Sequence, residues 1–223
     1  MRTNTKEGRY WLLLAALPLA TGAALIVYVF AHISLGLALL VAAAIVVAVG
    51  IFTWRNLTPP ARIEIIRRVR TGLLAGFLAT ICYDLIRWAL VTVFHFTFWP
   101  FDIFPIFGRA IAGAQTAFNT AYIIGILYHY ANGILFAVAY AILLALRGWW
   151  TGILWALGLE ALMLSIYPGW LHIQAFNEFL SISMLGHLVY GTVLGAVSRW
   201  YLALQQPPRF HAPDHIPRTT LRR

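Results

Sequence analysis

Six long apolar runs constrain this sequence more than any motif in it. They fall at roughly 10–31, 33–54, 71–95, 119–146, 149–167 and 181–203, with ends good to about 2–4 residues. A helix crosses a bilayer's hydrocarbon core with about 20 apolar residues. Lipid offers no partner for backbone N–H and C=O groups, so runs of this kind cross it as α-helices. The expected fold class is therefore all-α: a polytopic membrane helical bundle of six transmembrane helices. The charged share of 10% agrees, because soluble domains carry about 25%.

Arg2, Lys6 and Arg9 precede the first run in the manner of a signal peptide. Its apolar stretch exceeds the usual signal core of about 7–15 residues, and a second run follows almost at once. It reads as a retained helix, bent at Pro18.

Arginine placement sets the expected orientation. With both termini cytoplasmic, the odd-numbered turns lie outside, and every Lys and Arg except Arg87 and Arg109 falls on the inner side. Six crossings then satisfy the positive-inside rule, which implies a multi-pass protein of the inner (plasma) membrane. The net charge of +9 is spread around apolar runs and forms no stripe, so it implies no nucleic-acid partner. Cys82 is the only cysteine, which excludes an intramolecular disulfide and a Cys-based cluster. Lys6 is the only lysine, so no retinal-type Schiff base can form within the bilayer.

Three units are expected. Residues 1–70 form an N-terminal transmembrane hairpin with a basic cytoplasmic linker, in which 61–68 reads as an amphipathic surface helix near anionic headgroups. Residues 71–204 form a four-helix membrane domain, and 205–223 form a basic disordered tail. The outer segments 97–118 and 168–180 are aromatic and apolar, as for chain lying in the interface or forming lids over an outward-facing pocket.

The four-helix domain reads as a tandem two-helix repeat, about 71–147 and 151–204. Thr71-Gly72-Leu73-Leu74 matches Thr151-Gly152-Ile153-Leu154, and His129 with Gly133 matches His187 with Gly191. Spacing of four draws stripes of small residues along each helix: Gly72, Gly76, Thr80 and Asp84; Gly125, His129, Gly133 and Ala137; Gly152, Ala156 and Glu160; Ser183, His187, Gly191 and Gly195. Such stripes are where membrane helices approach closely. Each copy thus carries one carboxylate and one histidine on a protein-facing stripe, and an unpaired charge at bilayer depth costs about 2.5–3.5 kcal/mol on insertion scales. Asp84, Arg87, His129, Glu160 and His187 are the candidate ligand or cofactor residues, with Arg87 able to pair with Asp84 or to snorkel outward. No catalytic motif of the G-x-S-x-G, H-E-x-x-H, P-loop or G-x-G-x-x-G kind is present.

These residues admit several readings. Carboxylate–histidine bonds that only tie helices together suit a non-catalytic accessory or structural subunit of a membrane complex, with other membrane subunits as partners. His129 and His187 are also the candidate ligands of a transition metal or a b-type haem in a redox complex. Passage of a small solute or proton is a further alternative.

The segments Gly186-His187-Leu188-Val189-Tyr190-Gly191 and His129 through Gly133, followed by Phe136 and Tyr140, resemble a pattern in uncharacterised bacterial four-helix integral membrane proteins with repeated His-x-x-x-Gly helices. The resemblance covers residues 71–203 and omits the first hairpin. It implies the topology and the repeat, and it supplies no activity.

Overall fold

A computed structural model describes residues 5–205; the basic tail expected beyond lies outside the described residues. All regular structure among them is helical: α1 (Thr5–Ala16), a 3₁₀ turn (Leu17–Leu19), α2 (Ala20–Ala31), α3 (Leu35–Asn56), α4 (Pro59–Phe94), α5 (Ile103–Ala112), α6 (Phe118–Leu143), α7 (Thr151–Leu171) and α8 (Phe176–Leu204). Six segments are long and apolar enough to cross a membrane: α1 with α2, then α3, α4, α6, α7 and α8. The protein is a multi-pass membrane helical bundle.

Local chemistry explains where the helices begin and break. Pro18 cannot donate to the preceding turn, and the first span passes through a 3₁₀ turn at that point. Ser34 starts α3 by accepting the N–H of Leu37 at 3.3 Å. Pro59 and Pro60 open α4, where a missing N–H costs nothing.

The arginine-rich stretch 61–68 is not a separate surface helix. It is the first part of α4, continuous with the transmembrane portion. No glycine or proline interrupts the chain between Ala61 and Thr71, and Glu64 pairs with Arg67 at 2.7 Å and Arg68 at 2.8 Å along the helix. The last span likewise begins at Phe176, earlier than the apolar run, because Asn177, Glu178 and Ser181 continue the helix as polar turns.

Helix α4 is the centre of the bundle, with α6 on one side and α8 on the other, while α7 packs on α8. Two neighbouring stripes of α4 make this possible. Gly72 and Gly76 lie against the backbone of Ile134, Ala137 and Val138 on α6. Ala75, Ala79, Tyr83 and Arg87 are buried on the adjoining stripe, and Tyr83 and Arg87 meet α8 at Gly186. Helices α7 and α8 also approach closely: a methyl group on Gly191 would come within 2.6 Å of the Gly152 carbonyl oxygen. Beyond the 3.0 Å hydrogen bond between Tyr140 and Thr151 the ring of helices opens between α6 and α7, and α2 stands across that gap with Gly22 against the Phe136 ring.

Segment 97–118 is folded onto the helices through α5. Phe104, Phe107 and Gly108 of α5 are buried, and Gly108 and Gly125 let the α5 and α6 backbones touch at Ala121 and Phe104. The second outer segment consists mostly of the ends of α7 and α8, with only a short turn between them. Glu178 fastens it to the first by accepting from Thr97 Oγ1 at 3.0 Å and the Phe98 N–H at 2.8 Å.

Candidate functional site

The five candidate residues come from four helices and form a trio and a pair. Asp84 and Arg87 sit one turn apart on α4, with Arg87 Nη1 3.2 Å from Asp84 Oδ1. His129 of α6 places Nε2 3.1 Å from both Asp84 oxygens. On the other hairpin, His187 Nδ1 of α8 lies 2.7 Å from Glu160 Oε2 of α7. The structure therefore joins Asp84, Arg87 and His129, and separately Glu160 and His187.

Depth explains why the pairs form. Glu160 is 1% exposed, so its carboxylate must be answered by protein groups. Ser183 Oγ donates to Oε2 at 2.7 Å beside His187, while Oε1 has no partner. Arg87 is 8% exposed and does not snorkel. Its Nη2 donates to the Pro100 carbonyl at 2.9 Å, and the guanidinium stacks 4.6 Å from the Tyr83 ring centre and 5.4 Å from that of Phe101.

Tyr83 separates the two pairs. Its ring centre lies 6.0 Å from the His129 ring and 5.0 Å from the His187 ring. Sequence reasoning passed over this residue because a tyrosine in an apolar run reads as ordinary packing. The signal was available: Ala75, Ala79, Tyr83 and Arg87 repeat at spacing four beside the stripe that ends in Asp84.

Both histidines open on one cavity of about 150 Å³ in the gap between α6 and α7. Tyr83, Phe107, Asn132, Phe136, Tyr167 and Tyr190 contribute to its walls. A smaller cavity of about 70 Å³ continues toward the loop between α4 and α5, between Arg87, Phe98 and Pro100, sharing Tyr83, Phe107, His129, Met163 and Tyr167 with the first. Phe107 of α5 lines both cavities. Asn132 Oδ1 is buried without a hydrogen-bond partner, an unusual condition for a buried polar atom.

The residues do not fit the expected haem or metal. A porphyrin held by both imidazoles needs open space between them, and Tyr83 occupies it. No group of three or more His, Cys, Asp or Glu among the described residues could hold a metal ion. Each histidine instead keeps one ring nitrogen on its carboxylate and one without a hydrogen-bond partner, at the wall of a shared cavity.

The chain matches no protein-family model, no curated protein and no solved structure.

Proposed function

We propose that this is a non-catalytic membrane protein that binds a small molecule between its helices, with Asp84 and Glu160 orienting His129 and His187 toward it. One observation carries the reading: two carboxylate–histidine pairs from different hairpins converge on one cavity from either side of Tyr83. Pairs that served only to join helices would not require a common space with a buried, unpartnered amide in its wall. An accessory role in a larger membrane complex, the first expectation from the sequence, is compatible with this reading.

The hairpins α4/α6 and α7/α8 read as two copies of one unit, each giving a carboxylate from its first helix and a histidine from its second. Pairing within each hairpin supports this. Proton passage is less well supported. Between His129 and the Arg68 contact with the Ile142 carbonyl, Gly72 and Gly76 of α4 pack against Ala137 and Val138 of α6, which carry no titratable group.

The test is to purify the protein in nanodiscs with native lipid and identify co-purifying small molecules by mass spectrometry. The wild type should carry one, and His129→Phe and His187→Phe should lose it while keeping their helical circular dichroism. Nothing bound to the wild type, with variants that differ only in melting temperature, would leave the pairs as structural ties and end the ligand reading.

A further inference from the structure

We infer that the ligand of this cavity is a neutral one-ring aromatic bearing a hydroxyl group, a phenol-class molecule that donates to His129. The inference rests on the ligand-binding reading above and adds the chemical class.

Size comes first. A cavity of about 150 Å³ admits one benzene-sized ring. The walls favour a flat apolar body: Tyr83, Phe107, Phe136, Tyr167 and Tyr190 all face the space, and aromatic rings prefer one another in edge-to-face or offset contact. Position agrees, because α2 is the element across the gap and a neutral ring can reach it through lipid.

The polar groups then decide the functional group. Asp84 is ion-paired with Arg87 and its oxygens accept, so the His129 nitrogen beside them, Nε2, carries the proton. In the neutral ring Nδ1 is then a bare acceptor. It makes no hydrogen bond within the protein, and His129 lines both cavities. Asn132 also lines the first cavity. A bare acceptor at the wall calls for a donor. A phenolic O–H supplies one at the edge of the ring that the aromatic walls hold, and the space beside Arg87 leaves room for a small ring substituent.

The experiment uses the intact protein in nanodiscs with 4-fluorophenol and 4-fluoroanisole, read by fluorine NMR. The two probes are close in shape, and only the first donates a hydrogen bond. The fluorophenol should bind at least about tenfold more tightly, the equivalent of one hydrogen bond. Met163→Trp, which fills space common to both cavities, should abolish its binding without changing the helical spectrum. Equal binding of the two probes would overturn the donor assignment while leaving a ligand-binding cavity. Failure of both, in a preparation that still carries a His129-dependent small molecule, would overturn the one-ring class and leave the broader reading intact. Binding that survives Met163→Trp would place the probe elsewhere and overturn the proposal.

Discussion

His129 and His187 meet their carboxylates with opposite ring nitrogens: Nε2 of His129 faces Asp84 at 3.1 Å, whereas Nδ1 of His187 faces Glu160 at 2.7 Å. The His187 Nδ1 also lies 3.0 Å from the Ser183 carbonyl, which can only accept, so that nitrogen carries hydrogen. The two rings therefore hold different tautomer-defining protons. Nitrogen NMR of histidine-labelled protein in bilayers should show a protonated Nδ1 at His187 and an unprotonated Nδ1 at His129. The same nitrogen protonated at both sites would contradict the pairing geometry.

Close helix contact and helix propensity make opposite demands on two glycines, which separates them experimentally. Gly191→Ala forces a methyl group toward Gly152 and Ala156 and should cost about 1–3 kcal/mol through overpacking. Gly158 sits inside α7 with nothing within 4 Å of an added Cβ. There Gly158→Ala should stabilise by about 0.5–1 kcal/mol, because alanine loses less freedom in a helix. Unfolding free energies in bicelles check both signs.

The contrast shows what the sequence made legible. Apolar runs and the spacing of small residues were enough to define six crossings and the faces that carry Asp84, His129, Glu160 and His187, because lipid imposes a length and helices impose a period. Which helix neighbours which was not legible. The central place of α4 depends on two stripes being used at once, and only the glycine-bearing one stood out from its surroundings. Nor does a one-dimensional pattern reveal that α6 and α7 stand apart, or that Phe107 of a short helix lines the space. Those features arise from distances among several elements. Arg87 illustrates the limit: the sequence allowed it to pair or to snorkel, and the Pro100 carbonyl that settles the choice lies in the following loop.

Three helix C-termini carry a further testable feature. His32, His95 and His172 close α2, α4 and α7 in the left-handed backbone region, with φ of 54°, 53° and 50°. Side chains with a Cβ pay about 1–2 kcal/mol for that conformation, and glycine does not. All three are exposed, so little packing is lost on truncation. His95→Gly should raise the melting temperature, by up to about 1 kcal/mol of stability. A fall would mean that the His95 side chain makes contacts beyond its backbone role.

Orientation is accessible through the single native cysteine. In a Cys82→Ser background, a cysteine at Arg62 should react with a membrane-impermeant maleimide only from the cytoplasmic side, and one at Trp99 only from outside. Arg62 lies in the basic opening of α4, and Trp99 in the loop that Glu178 fastens. Labelling of both positions from one side would overturn the arrangement with cytoplasmic termini.

Arg87 allows the sharpest test of how the site is held. It is buried, so it acts as the counter-charge of Asp84 at depth. Arg87→Met removes that charge and leaves the carboxylate with His129 alone, at a cost of about 2.5–3.5 kcal/mol. Adding Asp84→Asn removes the orphaned charge as well, and the double variant should recover most of the loss, since replacing both members of a buried pair is often near neutral. A double-mutant cycle in bicelles measures the coupling. Additive losses would mean that Arg87 is held chiefly by the Pro100 carbonyl and the rings of Tyr83 and Phe101. In that case its service to Asp84, and through Asp84 to the orientation of His129, would be minor.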